Sequence, residues 1–354
     1  MINDIPWQKI VDIACNAPSG GNSQPWSIVK DNDSLVIRTD LPQSFYVQSY
    51  DRIGAYISIG ALAYNVETVA RGLGYSSSIS IMEADQPFLK VNITDFNPSN
   101  LSQTAIDSVI NRTTNRKPSV GKLPEDVITR LGLFLQEHFA ANGLPSFTLK
   151  FTRDPDVIKS LSYVIAESEI LRFTHEITFK KVFVSELKCK ENDSHYKIAL
   201  NTLELPWVLE KFMCSIIKIP ALRHLLLKKI VALTVQDQFS QSSDIGCIFG
   251  DKKISPVDLI QLGRAIEALW LKLTEYGYYM HPWTSFTFYG LEKSMGYDPT
   301  FSELEQESVE QMMNTVSKIY NEPDRIPLFL FRTLDAPKPE FHSGKKNILI
   351  TGGS

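Results

Sequence analysis

Two stretches of this chain, 203 residues apart, share a pattern that restricts how the chain folds. GALAYNVETVARGLGY begins at Gly60 and GRAIEALWLKLTEYGY begins at Gly263, and in both stretches the first and last glycines are fourteen residues apart. Each reads as an amphipathic helix that ends at a left-handed glycine. Two capped amphipathic helices can resemble each other by chance, but the shared spacing favours an internal repeat.

The opening glycine of each stretch indicates how the two helices meet. A helix does not need glycine at its start for capping, and glycine there lowers helix stability by roughly 1 kcal/mol relative to alanine. We therefore predict that Gly60 and Gly263 mark a close helix crossing. Two such helices packed on each other would give the core a pseudo-twofold axis.

Strands and helices alternate along the rest of the chain without the β-α-β rhythm of a doubly wound sheet, so we predict the α+β class. The 354 residues, 43% of them apolar, are enough for a large core. We predict a first half over residues 1–100 and a second half over 101–354, with a lid-like insertion at about 190–250. The clearest elements are a helix over 4–17, a hairpin over 27–38, a helix over 53–73, a helix capped by Asp154 and a buried strand over 326–334.

Charge and cysteine usage exclude several classes of protein. The net charge is −4 and the basic residues are spread along the chain, so nucleic acid is not an expected partner. The four cysteines are scattered and the N-terminus lacks a signal-peptide core, which predicts a cytoplasmic location. The apolar stretch 212–235 contains Pro220 and several basic residues. It is therefore predicted to be a buried or lid-forming helical pair, in preference to an interfacial membrane helix, and not a membrane span.

Signatures of metal or nucleophilic catalysis are absent from the sequence. The six histidines are isolated, and the sequence contains neither a nucleophile elbow nor a phosphate-binding P-loop, so no metal site and no catalytic side chain is predicted. A Ser-His or Cys-His pair that meets only in space stays open. ILITGGS at 348–354 resembles the first half of a dinucleotide fingerprint without its helix. It predicts either an arm packing on the body, which we favour, or a chain that continues.

Two kinds of segment point to an anionic ligand. The loop NAPSGGNSQPW at 16–26 interrupts regular structure with Gly20-Gly21, where backbone can approach a ligand closely. NRTTNRKP at 111–118 carries Arg112, Thr114 and Arg116 at alternate positions, which an extended chain would direct to one face. Guanidinium and hydroxyl groups suit phosphate, although a solvated junction explains them equally well. HSGKKN, with Lys345 after Ser-Gly, is a weaker signal of the same kind.

Together these residues resemble a known family. APSGGNSQPW is similar to the APSxxNxQPW loop of the FMN-dependent nitroreductase superfamily, and Arg112-x-Thr114-x-Arg116 resembles its phosphate-binding element. In other members the basic element comes first and two identical subunits share each flavin. The reversed order and the repeated helices resemble the single-chain, internally duplicated group that includes the mycobacterial dormancy-associated nitroreductase-like proteins. The resemblance implies a nitroreductase-like pseudo-dimer, an antiparallel or mixed sheet flanked by helices, which is a monomer or a homodimer.

The resemblance also implies a set of FMN-binding residues. The loop would contact the flavin ring and ribityl chain through Pro18, Ser19, Gly20 and Asn22. The phosphate would be held by Arg112, Thr114, Arg116 and Lys345. HPWTS at 281–285 matches the segment whose amides face the reactive flavin nitrogen, which adds Trp283 and Thr284, although the usual Glu-Gly is missing. Trp283 is equally well explained as an aromatic core anchor.

The implied activity is an FMN-dependent oxidoreductase that passes electrons from NAD(P)H to a flat organic acceptor such as a nitroaromatic or a quinone. Segment 212–235 is predicted to cover the flavin and restrict that acceptor. Two alternatives remain open at this point. One is a flavin-sequestering protein without reductase activity, and the other is a flavin-dependent dehydrogenase of natural-product biosynthesis that works on a group delivered by a partner.

Overall fold

The computed structural model describes residues 5–40, 49–141, 147–181, 187–188, 198–203, 220–297 and 300–350. The helices are α1 Trp7–Ala14, α2 Ser49–Gly72, α3 Gln103–Asn111, α4 Glu125–Ala141, α5 Pro155–Thr174, α6 Glu176–Lys180, α7 Pro220–Ser240, α8 Pro256–Glu275, α9 Ser285–Ser294 and α10 Glu303–Ile319. The strands are β1 Trp26–Asp31, β2 Ser34–Thr39, β3 Tyr75–Met82, β4 Phe88–Phe96, β5 Thr148–Thr152, β6 Leu187–Lys188, β7 Ile198–Ala199, β8 Asp244–Gly250, β9 Tyr279–Pro282 and β10 Ile326–Leu334.

Two antiparallel four-stranded sheets carry most of the strands. The first has the order β1-β2-β4-β3 and the second has the order β5-β8-β10-β9. In both sheets the first two strands precede a long central helix, α2 or α8, and the other two follow it. The α+β class is confirmed, and the strand order and the place of the central helix are the same in both sheets, which agrees with the predicted internal repeat.

The long helices α2 and α8 cross in the middle of the molecule. A Cβ atom on Gly60 would overlap the carbonyl oxygen of Ile260, and one on Gly263 would overlap the carbonyl oxygen of Ile57. Ile57 and Ile260 are also 203 residues apart, so each helix makes the same contact with the other. The predicted close crossing is confirmed, and its reciprocity is that of a twofold interface within one chain.

The ends of the two helices also correspond. Gly74 and Gly277 follow them with φ of +94° and +84°, the left-handed conformation predicted for a glycine at that position. One continuous apolar core runs through both sheets and the two helices, with Trp26 and Trp270 among its largest fully buried side chains. The site residues discussed below are attached to this rigid centre.

The second half contains a long segment between β5 and β8. The predicted insertion at 190–250 extends too far, because Asp244–Gly250 forms the buried strand β8 inside the second sheet. Of the predicted lid, 212–219 lies outside the described residues and 220–235 belongs to α7, where Val231 and Val235 pack in the cluster that also contains Ile158 and Leu161 of α5. Its role as a lid and the boundary between the halves stay predictions. Among the described residues, we find no helix with the length and apolarity needed to cross a membrane.

Candidate functional site

The loop after α1 has a fixed shape despite its glycines. Gly20–Asn22 forms a short 3-10 turn, and Gly21, Asn22 and Gln24 have φ of 60°, 55° and 47°. Glycine and asparagine accept this left-handed region readily. The Ser19 hydroxyl accepts a hydrogen bond from the Gln24 amide at 3.0 Å, which closes the turn. No heavy atom of the described residues lies within 4 Å of the place where a Cβ on Gly20 would stand, so the backbone faces open space there.

The C-terminal segment crosses this loop as an irregular arm. The carbonyl oxygen of Gly344 accepts hydrogen bonds from the side-chain amides of Asn22 at 2.9 Å and Gln24 at 3.3 Å. The Lys346 amide donates to the Gln24 side-chain oxygen at 2.6 Å. Further along, Gln8 on α1 pairs with the backbone of Ile348 and Ile350. The arm therefore packs on the body as predicted, without forming a strand over its described part, and residues 351–354 lie outside the described residues.

Two substitutions on the body test two hydrogen bonds to the arm separately. Gln24→Asn keeps a residue that tolerates positive φ but shortens the side chain, so the Lys346 amide loses its acceptor. We expect hydrogen exchange at the Lys346 amide to accelerate by about five- to tenfold, the equivalent of one hydrogen bond. Gln8→Asn should do the same at the Ile350 amide and leave Lys346 protected. Equal acceleration at both amides in either variant would mean that the arm opens as one unit.

Arg112 connects the basic segment to the loop. It lies directly after α3, and its guanidinium donates to the carbonyl oxygen of Asn16 at the start of the loop. Its Nε lies 3.3 Å from the Glu267 carboxylate of α8, and both side chains are buried. The guanidinium also stacks 4.7 Å from the centre of the Trp270 ring. The structure thus brings the loop, the basic segment and the central helix together at one residue.

Glu267 is the residue of this group that the sequence analysis missed. A carboxylate in the apolar run AIEALW of a buried helix is itself a signal, because a buried charge requires a partner. Burial raises the pKa of Glu267 to about 7, although the Arg112 guanidinium opposes the shift. Burial lowers the pKa of Arg112 while Glu267 opposes that shift. The pair is therefore held in the interior at a real cost in desolvation.

Lys345 and His342 complete a cluster of basic groups beside the loop. Burial of the Lys345 ammonium and repulsion from Arg112 lower the pKa of Lys345 to about 7, although part of the side chain reaches solvent. The His342 ring lies 3.3 Å from the Thr113 hydroxyl, and burial together with Lys338, Lys345 and Arg112 lowers the pKa of His342. These groups repel one another, and an anion among them would relieve that repulsion.

The far end of the basic segment has different neighbours. Thr114 forms a parallel bridge to Met280, and the Asn115 amide donates to the Met280 carbonyl, so the segment runs along β9. The Arg116 guanidinium donates to the Thr202 carbonyl at 2.9 Å, and its own carbonyl accepts from Arg332 at 2.8 Å. Arg112 and Arg116 therefore reach different partners at the two ends of the segment.

Trp283 and Thr284 follow β9 at the same side of the second sheet. The Trp283 ring packs 5.0 Å from His281 and 5.7 Å from Phe239, as an aromatic anchor would. Its buried indole N–H finds no hydrogen-bond acceptor within the described residues. Thr284 immediately precedes α9, where the Ser285 hydroxyl donates to the buried Glu169 carboxylate at 2.6 Å. This carboxylate at the helix N-terminus holds the turn in place.

The chemical groups of the loop, the basic segment, the arm and the turn after β9 suit a flavin nucleotide better than a metal ion. Within the described residues no cluster of three or more His, Cys, Asp or Glu side chains is placed to hold a metal. A flavin mononucleotide instead needs cations for its phosphate, open backbone for its ring and a free hydrogen-bond donor. Arg112 and Lys345 supply the charge; among the described residues nothing fills the space beside Gly20, and the Trp283 indole N–H has no acceptor. The donor set therefore fits FMN.

Comparison with known proteins gives only weak likenesses. No protein-family profile and no curated protein sequence matches the chain. A nitroreductase from Bacteroides thetaiotaomicron VPI-5482, described as a putative NADH dehydrogenase/NAD(P)H nitroreductase, is 11% identical with a TM-score of 0.34, over 69% of this chain and 92% of its own. The FMN-dependent nitroreductase NfnB from Mycobacterium smegmatis, solved with NADPH, is 11% identical with a TM-score of 0.34, over 65% of this chain and 86% of its own.

An FMN-dependent nitroreductase from Clostridium difficile R20291 gives similar values. It is 12% identical with a TM-score of 0.34, and the match covers 71% of this chain and 98% of that chain. Scores at this level carry no inference about function. The functional conclusion therefore has to rest on the contacts of the chain itself.

Proposed function

We propose that this chain is an FMN-dependent oxidoreductase of the nitroreductase type, with one flavin site built between its two halves. The observation that carries the proposal is the contact between Arg112 and the Asn16 carbonyl, which joins the basic segment to the glycine-rich loop. The arm supports it, because Gly344 binds Asn22 and thereby holds Lys345 beside the same loop. Three segments far apart in sequence are thus joined around one group of cations.

The proposed contacts form two groups, one at the phosphate and one at the flavin ring and ribityl chain. Arg112, Thr114, Arg116 and Lys345 form the phosphate end, where the engaged Arg112 guanidinium contributes its charge and fixes the loop. The ring and ribityl chain lie against backbone and amide groups of Pro18, Ser19, Gly20 and Asn22, with Trp283 and Thr284 on the side of the second sheet. The sequence offers no side-chain acid or base for the reaction, and the residues bind, orient and exclude water.

When bound, FMN supplies hydride acceptance from NAD(P)H and onward electron transfer to a flat organic acceptor. Hydrogen bonds from the loop amides and the Trp283 indole to the ring would favour its more negatively charged reduced form. The acidic composition and scattered cysteines suit the cytoplasm, where NAD(P)H is abundant. The single-chain pseudo-dimer accounts for one site made from both halves.

The phosphate end is tested by comparing FMN with riboflavin, which lacks the phosphate. We expect the wild-type protein to bind FMN at least about a hundredfold more tightly, because charge-assisted hydrogen bonds contribute roughly 1.5–3 kcal/mol each. Lys345→Met should reduce that ratio by about tenfold or more when both affinities are measured by flavin fluorescence quenching. Lys346→Met is the matched control, since its ammonium is already paired with Asp40 at 3.5 Å.

Two results would contradict the proposal. A purified protein that is colourless and does not bind added FMN would exclude a flavin site of any kind. A protein that binds FMN but is not reduced anaerobically by NADH or NADPH would exclude the reductase activity and favour the flavin-sequestering alternative.

A further inference from the structure

Arg332 is a buried arginine whose hydrogen bonds reach three separate segments around the candidate site. It lies on β10, and its side chain is completely buried. Its Nε donates to Nδ1 of His281 at 3.0 Å, one terminal nitrogen donates to the Gln238 carbonyl at 2.6 Å, and the other donates to the Arg116 carbonyl at 2.8 Å. These three principal acceptors belong to β9, the end of α7 and the basic segment, where the Lys117 carbonyl is a fourth, longer contact at 3.5 Å.

Burying a guanidinium carries a desolvation cost, which its hydrogen bonds have to offset. Among the described residues no carboxylate forms an ion pair with Arg332, and burial together with repulsion from Arg116 lowers its pKa to about 9, although the Asp237 carboxylate opposes the shift. A buried arginine is usually paired with a carboxylate, as Arg112 is with Glu267. The planar guanidinium of Arg332 instead donates to two carbonyls and an imidazole. These hydrogen bonds fix the positions of the acceptors relative to one another.

The imidazole contact extends the effect of Arg332 towards Trp283. Because Nδ1 of His281 accepts from Arg332, the ring is neutral and carries its proton on Nε2. Burial and the two nearby guanidiniums, Arg332 and Arg116, lower the pKa of His281 well below its usual value, which keeps the ring an acceptor. The Trp283 ring then packs against the oriented imidazole at 5.0 Å.

We propose that Arg332 is a positioning residue for the phosphate end of the site. It fixes the backbone at Arg116 through the carbonyl and the 281–284 turn through His281, and so sets where the Arg116 guanidinium and the Trp283 indole stand. This inference rests on the proposed function, because it assigns Arg332 to the phosphate contact that Arg116 is proposed to make. The effect of Arg332 should therefore pass through Arg116.

A double-mutant cycle with the FMN-to-riboflavin affinity ratio tests this route. Arg332→Met should lower the ratio by about tenfold, and Arg116→Met should lower it by a similar amount. The double variant should be no worse than Arg116→Met alone, because the group that Arg332 positions is then missing. Arg332→Lys keeps the charge but can no longer reach all three acceptors, so it should not restore the ratio.

Controls separate positioning from general destabilisation. Arg153→Met removes a partly buried arginine whose described partners, Asp244, Glu125 and the Leu123 carbonyl, include no residue of the proposed site, and it should leave the ratio unchanged even where it lowers the unfolding temperature. If Arg332→Met does not fold, His281→Ala removes one of the three acceptors and should lower the ratio by about threefold, again only when Arg116 is present.

Each remaining outcome is decisive. Wild-type protein without preference for FMN over riboflavin would overturn the proposed phosphate end and this inference with it. A wild-type preference that survives Arg332→Met would overturn this inference alone and leave the proposed function standing. Losses that add up in the double variant, or full recovery in Arg332→Lys, would show that Arg332 acts as a structural charge and not through Arg116.

Discussion

Replacing Gly60 or Gly263 with alanine is expected to lower the free energy of unfolding by about 3 kcal/mol or more, a large share of the roughly 5–15 kcal/mol that stabilises a typical folded protein. The added methyl group would meet a backbone carbonyl of the facing helix, Ile260 for the first variant and Ile57 for the second. A flexible side chain can turn away, but a backbone carbonyl moves only with its helix. Relief would require α2 and α8 to separate and the core on both sides to open.

Gly132 in α4 provides the matched control. It is also a glycine inside a helix, but a Cβ built there finds no heavy atom within 4 Å among the described residues. Gly132→Ala should therefore raise the free energy of unfolding, by up to about 1 kcal/mol, through helix propensity alone. Urea unfolding of the three variants measures the contrast. A Gly60→Ala protein as stable as the wild type would show that the helices do not cross as described.

The reciprocity of the crossing sets a second expectation for the same measurement. Because the two glycines make equivalent contacts, the two single variants should lose similar amounts of stability. Once one methyl group has forced the helices apart, the second has less contact to disrupt. The double variant should therefore lose less than the sum of the single losses.

The parts of the fold that the sequence predicted correctly depend on local patterns. The glycines that open the paired stretches, the left-handed Gly74 and the buried run at 326–334 can be read within one helix or strand, and the structure confirms them. The end of the insertion was wrong for a local reason too. β8 is short, continuously buried and contains two glycines within DIGCIFG, so it shows neither strand alternation nor a clear boundary.

The contacts that assemble the candidate site could not be predicted because they join distant segments. Arg112 and Glu267 are each charged residues that follow or lie within an apolar helix, but only the packing of α3 against α8 makes them partners. The same holds for Arg332, which reads in sequence as one polar residue in an apolar strand. The loop stands out in the sequence by its glycines, whereas its attachment to Gly344 depends on an arm more than three hundred residues away.

Among the described residues, the contacts at Arg112 and Glu267 are not repeated at the equivalent positions of the first half. Tyr64 stands 203 residues before Glu267 and occupies the equivalent place on α2. Its ring makes an edge contact with His138 at 5.4 Å, where the other half has a buried carboxylate beside a guanidinium. The α3 helix with its basic segment lies at the start of the second half and has no counterpart among the described residues before α1. The two halves therefore share the arrangement of sheet and central helix but differ in the side chains at equivalent positions.

Glu267→Leu is expected to cost about 3–5 kcal/mol of unfolding free energy, more than Arg112→Met at neutral pH. The two variants differ in what they leave behind. Glu267→Leu leaves the Arg112 guanidinium buried without its counter-ion, and arginine cannot shed its charge at physiological pH. Arg112→Met leaves Glu267, which can take up a proton because burial has already raised its pKa to about 7. A neutral carboxyl group in the interior costs far less than a buried ion.

The pH dependence of stability separates the two cases. The folded pKa of Glu267 lies above its unfolded value, so the folded state holds a proton that the unfolded chain releases, and the contribution of Glu267 to stability falls as pH rises from about 4.5 through about 7. Without Arg112 the pKa rises further, so the decline in Arg112→Met should continue to higher pH than in the wild type. Glu267→Leu should lack this decline altogether. Urea unfolding from pH 5 to pH 9 measures both.

The double variant shows whether the stability lost in Glu267→Leu comes from the unpaired charge of Arg112. Removing both charges leaves an apolar interior, so Glu267→Leu/Arg112→Met should be more stable than Glu267→Leu alone. The recovery is partial because the Asn16 carbonyl also loses its donor. Glu310→Leu, which breaks the exposed pair with Lys293, should change stability little and is the control. A double variant less stable than Glu267→Leu would mean that Arg112 stabilises the fold mainly by holding the loop, and that the buried charge of Glu267 is secondary.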